Sequence, residues 1–421
     1  MTENRKLIAM EQGMEMFNRL ANSLNVVIIS KIKGSLSEDV VRQSLDLVQI
    51  RHPRLNCRII GLLDNLHFET EGTQQIPLRV IFSSDPKHWE FIAKNELNNQ
   101  ISSDKVLLRA VLIKINNRSN FNYFITTCHH AVIDAISGVH LHSEILNLCY
   151  NILSNNQIDS VSKLPVLPSL EDLIPQIFEL SFQDKQLNKK PETLEFEKYL
   201  PNELRSCGIV NRKLEPEFTN RIISSCKKQN TTVHGALCAA MLLTVAETIK
   251  GEDRDLYLNC RSSVDLRRRL NPPVSDETIA MVVSALTTFH EIREDKPFWE
   301  LAREVTQQIK EKLETSELYN VVLSYKKGTE FLLNNPEKIP FSVFITNIGR
   351  VRIPSDYGLF KLEEISYALS LTAMGSVFAV AVSTFEEKMM LNFIYSLPAI
   401  SQNKIEKLIK KTISYLDKYC Q

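Results

Sequence analysis

A proline-rich, charged stretch separates this chain of 421 residues into two parts of comparable length. Its prolines are Pro165, Pro168, Pro175, Pro191 and Pro201. On either side of it, short apolar runs typical of buried strands alternate with segments of helical periodicity, which indicates mixed α/β structure. A single hydrophobic core stops growing at roughly 250–300 residues, so we expect two units. We place them at residues 1–160 and 206–421, with a linker at 161–205.

The overall charge excludes some classes of partner. The chain has 50 basic (Lys and Arg) and 50 acidic side chains, so its formal net charge is zero. This balance argues against nucleic acid as the main ligand and gives no attraction to anionic membranes. Residues 367–385 carry no charge, but their β-branched runs favour two core strands of one sheet over a membrane span.

Cysteine usage and the first residues of the chain bear on the compartment. The eight cysteines include no C-x-x-C pair, and their density is too low for a disulfide scaffold. Residues 1–17 are charged and lack the apolar core of a secretory signal. We therefore expect reduced, mostly buried thiols in a cytoplasmic protein, and we expect that protein to be a monomer.

The pattern that most indicates chemistry follows the predicted strand 121–127, which runs into Cys128 and then His129 and His130. Asp134 comes four residues after the second histidine, and Gly138 follows four residues later. A histidine at a strand-to-helix turn is held by the sheet and can face a cleft. There its imidazole can take a proton from a hydroxyl or an amine near neutral pH. Two ordinary polar residues at a strand end are the alternative, which the spaced Asp and Gly disfavour.

Other chemistries find little support in the sequence. His140 and His142 follow on a predicted helix, but residues two apart point about 200° away from each other and do not share a metal ion easily. The chain has no G-x-S-x-G, P-loop or dinucleotide-binding glycine motif. Cys128 is expected to face the core. We therefore expect no metal and no covalent intermediate, so that the acceptor attacks the donor directly.

The segment from His129 to Gly138 resembles the HHxxxD signature of the superfamily related to chloramphenicol acetyltransferase. This superfamily includes peptide condensation domains and the alcohol and mycocerosyl acyltransferases of polyketide-lipid pathways. Four other segments resemble members in order and spacing: residues 51–55, 231–237, 264–273 and 346–350. The resemblance is greatest to the branch of phthiocerol dimycocerosyl transferases and alcohol acetyltransferases.

This resemblance implies two chloramphenicol-acetyltransferase-like α/β sandwich subdomains that form a V with a central tunnel. It also implies an acyltransferase of natural-product biosynthesis, with acyl-CoA or an acyl carrier protein as the thioester donor and no other cofactor. A hydroxyl acceptor would yield an ester, and an amine acceptor would yield an amide. A non-catalytic module that docks carrier proteins is a second class, which the intact histidine pair disfavours.

The same resemblance assigns roles to individual residues. His130 is expected to be the general base, and His129 to pack the loop. Asp134 is expected to be structural and to pair with an arginine. Arg267 is our first choice, because its segment, residues 264–273, resembles the vDxRxR stretch of the family. The runners-up are Arg51 and Arg58. Arg268 and Arg269 are expected to be solvated.

The resemblance also suggests substrate contacts. Asn347 and Gly349 are expected at the end of a strand, where they would line the tunnel opposite the histidines. Gly138 is expected to contact substrate as well. A simple turn explains Asn347 and Gly349 equally well, because both residue types are common in turns.

Overall fold

The computed structural model describes residues 4–116, 120–154, 161–176, 189–249 and 255–421. Part of the predicted linker, residues 177–188, lies outside the described residues. The strands before the linker are β1 (Arg5–Lys6), β2 (Asn25–Lys33), β3 (Arg58–Ile60), β4 (His67–Glu69), β5 (Leu78–Ser83), β6 (Leu108–Ile115) and β7 (Phe121–His129). The helices before it are α1 (Ala9–Ala21), α2 (Glu38–Arg51), α3 (His88–Asn98) and α4 (Ala135–Leu153).

The same mixture of elements follows the linker. The strands are β8 (Ser206–Leu214), β9 (Leu256–Asp265), β10 (Val283–Ile292), β11 (Val343–Arg350), β12 (Asp356–Tyr357), β13 (Phe360–Leu369), β14 (Phe378–Phe385) and β15 (Lys388–Leu397). The helices are α5 (Pro216–Lys228), α6 (Val233–Ile249), α7 (Phe298–Leu313), α8 (Glu317–Asn334) and α9 (Gln402–Tyr419).

Two six-stranded sheets organise these elements. The first has the order β12-β13-β2-β7-β6-β5, and the second has the order β10-β9-β11-β14-β15-β8. Helix α6 packs on the second sheet against α7 and α9, and every residue from Gly235 to Ala246 is buried. This agrees with its sequence, which is apolar on all faces.

One strand pair crosses between the two parts of the chain. Strands β12 and β13 follow the linker but belong to the first sheet, where β13 pairs antiparallel with β2. The two strands predicted within residues 367–385 therefore lie in different sheets, which corrects the expectation of a single sheet. Hydrophobic patterning identifies a buried strand but does not show which sheet edge its backbone will pair with.

Helices α1 and α8 pack against each other across the space between the sheets. A glycine makes this approach possible, since a Cβ atom on Gly13 would lie 2.7 Å from both the Tyr325 ring and the Thr329 hydroxyl. Neither helix was predicted from the sequence. Their contact closes one side of the cavity described below.

The cysteines and the apolar helices can be compared with the expectations from the sequence. All eight cysteines are unpaired and buried. Within the described ranges, no single helix has the length and apolar composition needed to span a membrane, and α5 with α6 meets that test only as a pair bent by 99°.

Candidate active site

The histidine pair lies where a central strand of the first sheet ends. Strand β7 is hydrogen-bonded to β2 on one side and β6 on the other, and it ends at His129. The backbone then turns through residues 130–133, and α4 begins after Asp134, its N-cap. The sheet and the helix therefore hold the loop from both ends.

His130 lines a cavity whose walls come from both sheets. Its Nδ1 lies 2.9 Å from the carbonyl oxygen of Ile133. Because a carbonyl only accepts, Nδ1 carries the hydrogen and Nε2 of the neutral ring keeps its lone pair. Burial lowers the pKa of His130, although the Ile133 carbonyl and the Asp134 charge act in the opposite direction. The imidazole is therefore neutral at pH 7.

His129 has both ring nitrogens occupied. Its Nδ1 accepts from the Ala131 backbone N–H at 3.1 Å, so its Nε2–H donates to Glu15 Oε2, 2.7 Å away. The side chain is only 2% exposed. This ring fixes the path of the loop and has no free nitrogen for a substrate proton.

Sequence analysis did not identify Glu15, the partner of His129. Its fully buried carboxylate accepts from Arg19 Nε and Ser103 Oγ, each at 2.5 Å, and from Asn18 at 3.2 Å. Burial alone would raise the pKa of Glu15, but the hydrogen bond and charge of His129, with the other donors, lower it. The carboxylate is therefore ionised, and it anchors the histidine loop to α1.

We expect Glu15→Gln to destabilise the protein by about 1–3 kcal/mol at pH 7, because a buried, charge-assisted set of hydrogen bonds is lost. The pKa of Glu15 is lowered in the folded state. Its contribution is therefore present above the ordinary value of 4.5 and disappears as the pH falls through the folded-state pKa. Denaturant unfolding between pH 7 and pH 3 should show that the difference in free energy of unfolding between the variant and the wild type becomes smaller in acid. Glu38→Gln, at an exposed helix start, is the control. A gap independent of pH would contradict this account.

Asp134 is saturated with hydrogen-bond donors. Its Oδ1 accepts from the Ser137 N–H at 2.8 Å and from Arg267 Nη2 at 3.0 Å. Its Oδ2 accepts from Arg267 Nη1 at 2.8 Å and from the Val282 N–H at 3.0 Å. Burial alone would raise the pKa of Asp134, but Arg267 and these donors lower it. The carboxylate is thus a fixed charge that holds the start of α4.

Arg267 is the arginine that pairs with Asp134. It is completely buried, and it also contacts Asp265 Oδ1 at 3.0 Å and Ser137 Oγ at 2.7 Å. The pair joins α4 of the first part of the chain to the segment after β9 in the second. The neighbouring Arg268 is 78% exposed along its side chain.

The two other candidate arginines have different partners. Arg51 Nε lies 2.9 Å from a Glu144 carboxylate oxygen, and Arg58 Nε donates to the Glu71 carbonyl at 2.8 Å.

The structure places Asn347 in the wall of the same cavity as His130. Asn347 Oδ1 accepts from the Gly349 N–H at 2.8 Å, so this residue also makes a local turn. Gly349 has φ of 68°, a left-handed conformation that favours glycine, and a Cβ there would face open space. Gly349 is not among the described residues that line the cavity.

Gly138 does not have the position that was expected for it. It lies in α4, where a Cβ would approach the Ile28 side chain to 2.5 Å. Among the described residues, it is absent from the cavity wall. This position gives a packing role to Gly138, because the absence of a side chain lets α4 pack closely on β2.

The cavity has a volume of about 870 Å³ and is mostly apolar. Its walls come from α1, the histidine loop, β9, β10, α8, β11 and the segment from β13 to residue 377. Both the size and the lining are typical of a small-molecule site. The His130 imidazole therefore faces a mostly apolar space of the size that small-molecule sites have.

The Cys128 and His142 side chains next to the motif are buried in the core. Burial raises the pKa of Cys128 to about 12, so its thiol stays protonated. His142 contacts Ser30 Oγ at 2.7 Å and Thr126 Oγ1 at 2.8 Å inside the core. In the part of the chain that the structure describes, no three His, Cys, Asp or Glu side chains cluster as metal ligands would.

Comparisons with known proteins give one family and one fold. Residues 207–397 match the family described as the phthiocerol/phthiodiolone dimycocerosyl transferase C-terminus. No curated protein matches the chain significantly.

Several solved structures are similar over nearly the whole chain. The trichothecene 15-O-acetyltransferase of Fusarium sporotrichioides is 14% identical, with a TM-score of 0.76 over 99% of this chain and 95% of that one. Polyketide synthase associated protein 5 of Mycobacterium tuberculosis is 15% identical, with a TM-score of 0.70 over 99% and 97%. The first condensation domain of the calcium-dependent antibiotic synthetase is 14% identical, with a TM-score of 0.73 over 99% and 96%. The predicted fold class, α/β with two sheet-and-helix halves, is confirmed.

Proposed function

We propose that this chain is an acyltransferase of the superfamily of chloramphenicol acetyltransferase-like and condensation-domain proteins, and that it transfers an acyl group from a thioester to a hydroxyl, forming an ester. The family match over residues 207–397 and the fold shared with an acetyltransferase and a condensation domain support this proposal. The observation that carries this proposal is the His130 imidazole. It is neutral, its Nδ1 is bound to a carbonyl, and it lines a cavity of about 870 Å³.

In the proposed reaction, His130 Nε2 accepts the hydroxyl proton as the acceptor oxygen attacks the thioester carbonyl carbon. The new C–O bond gives a tetrahedral intermediate. The C–S bond then breaks, and the imidazolium returns its proton to the departing thiolate. Ester and free thiol are the only products, and the histidine ends in its initial state.

The other motif residues act through position. Asp134 and Arg267 hold the loop and the start of α4, and Glu15 holds the His129 ring. Misplacement of a base by about 1 Å can cost 100-fold in rate. Asp134, Arg267 and Glu15 thus support base catalysis without contacting substrate themselves.

The nature of the donor and the acceptor is also a proposal. The two acyltransferase similarities, one to a dimycocerosyl transferase family and one to a named O-acetyltransferase, support a hydroxyl acceptor. The similarity to a condensation domain supports the alternative, an amine acceptor. The donor is acyl-CoA or an acyl carrier protein, and no further cofactor is required. The eight buried, unpaired thiols suit the reducing cytoplasm.

The function can be tested with purified protein treated with a chelator and then given acyl-CoA with a panel of alcohols and amines. We expect thiol release that depends on an alcohol and matches the ester found by mass spectrometry. Amide products alone would make the protein a condensation enzyme. Carrier-protein binding without turnover would make it a docking module. Activity that is lost to chelator and restored by zinc would overturn the metal-free mechanism.

Gly328 is expected to determine how long an acyl chain or acceptor can be. It lies within α8 and lines the cavity, and a Cβ there would have no atom within 4 Å. Gly328→Leu should fill this space and lower kcat/KM for long acyl donors roughly tenfold, equivalent to about two buried methylene groups. Acetyl transfer should change little, and helix stability should improve. Gly328→Ala is the control, and equal effects across a C2–C12 donor series would contradict the prediction.

A further inference from the structure

Two arginines line the cavity wall near β9, and they differ in how their charge is balanced. Arg267 is paired with two carboxylates, as described above. Arg261 donates from Nη1 to Thr287 Oγ1 at 2.9 Å, and its guanidinium lies 5.3 Å from the centre of the Phe341 ring. Among the described residues it forms no ion pair. In the described part of the chain, this cation of the wall therefore has no carboxylate paired with it.

Two acids that could balance the charge of Arg261 are already paired with other cations. Glu317 attracts it through space, but the Glu317 carboxylate lies 2.5 Å from Lys312 Nζ. Asp265, on the same face of β9, contacts Arg267. Burial lowers the pKa of Arg261 to about 10, which leaves it charged at pH 7. The Arg261 side chain is only partly buried, and an anion in the cavity would supply the counter-charge that the described residues do not give it.

Tyr325 of α8 adds a neutral donor to this part of the wall. It lines the cavity and feels the charge of Arg261. Within the described ranges its hydroxyl has no hydrogen-bond partner. Burial raises the pKa of Tyr325 to about 12, so the hydroxyl keeps its proton. The close approach of Gly13 holds the ring in place.

Two further basic side chains line the cavity. Lys190 and Lys338 line it and are exposed, so they attract anions from solvent. Its only described acidic lining residues, Asp134 and Asp265, are both bonded to Arg267.

We propose that Arg261 and Tyr325 form a subsite for an anionic oxygen group on a substrate of this enzyme. A planar guanidinium matches a carboxylate or a phosphate oxygen pair, and a tyrosine hydroxyl adds a further donor. The group belongs to one of three sources: a carboxylate on the acyl chain, a carboxylate on the acceptor, or the phosphate of the pantetheine arm. The substrates named here rest on the proposed function, but their binding does not require turnover.

The test is calorimetric binding of matched ligand pairs to the full chain. Glutaryl-pantetheine against valeryl-pantetheine tests the acyl carboxylate. A hydroxy acid against its amide tests the acceptor, and CoA against pantetheine tests the phosphate. Arg261→Gln should weaken the anionic member of at least one pair roughly 10–100-fold and the neutral member less than twofold. Tyr325→Phe should give a smaller loss for the same pair, and Arg261→Lys should restore part of it.

Arg268→Gln is the matched control, because Arg268 is a solvated arginine close by in sequence. The pair that responds identifies the source of the anion. Equal losses for the anionic and neutral members of every pair, or no loss in any pair, would overturn the subsite. If Arg261→Gln does not fold, the same ligand pairs are measured with Arg261→Lys and Tyr325→Phe. Selective anion binding without turnover would contradict the proposed function and leave the subsite supported.

Discussion

Replacing His130 with alanine is expected to lower kcat by about 10²–10⁴-fold and to leave the fold intact. The imidazole lines the cavity, and among the described residues its side-chain hydrogen bond goes to the Ile133 carbonyl within its own turn. Its loss therefore removes the base without breaking contacts between elements. Single-turnover kinetics with acyl-CoA measure the effect, and thermal unfolding checks the fold. His88→Ala, the same change at the start of α3 and away from the cavity, is the control.

The pH profile gives an independent check on the same residue. Burial lowers the pKa of His130 below the ordinary value of 6.5, so the neutral base persists into mildly acidic solution. The acid limb of kcat/KM should therefore lie below pH 6.5. Wild-type turnover in His130→Ala, or an acid limb above pH 7, would contradict general-base catalysis by this ring.

Local patterns predicted the histidine loop because its features are local. A buried strand that ends at paired histidines, followed by a capping aspartate and an apolar helical repeat, indicates strand, turn and helix without any distant contact. The structure has β7, the turn and α4 in that order. The ion pair of Asp134 with Arg267 spans 133 positions, and resemblance to a family, not spacing, suggested it.

Two parts of the site depend on packing and were not predicted. The burial of Glu15 was not predicted, because a glutamate in a charged segment is ordinarily expected at the surface. The helix around it was detectable, since Met10, Met14 and Phe17 recur at helical spacing and all three line the cavity. Arg261 gave no sequence signal, because the lack of a counter-charge appears only when the neighbouring strands and α8 are in place.

Asp134→Asn should be the most destabilising single change at the site. Removing one member of a buried ion pair costs about 3–5 kcal/mol, because the remaining charge is left without its partner. Asp265 still contacts Arg267 and is 35% exposed along its side chain, so we expect the lower end of that range. Asparagine is as good an N-cap as aspartate, so the loss reports the ion pair and not the helix start. Denaturant unfolding at pH 7 measures it.

Two further variants distinguish a structural role of Asp134 from a catalytic one. Asp265 is a partly exposed carboxylate whose Oδ1 accepts from Arg267 Nη1 at 3.0 Å and from the Arg267 backbone N–H at 3.2 Å. Asp265→Asn removes its charge but keeps an acceptor oxygen, and it should cost about 1 kcal/mol or less. The double variant Asp134→Asn with Arg267→Gln should show a coupling energy of about 0.5–3 kcal/mol, since the two residues are in direct contact. Unchanged stability with lost activity in Asp134→Asn would make Asp134 a partner in proton transfer. The four donors around its carboxylate argue for the structural result, because they leave it no oxygen lone pair directed at His130 or at a substrate.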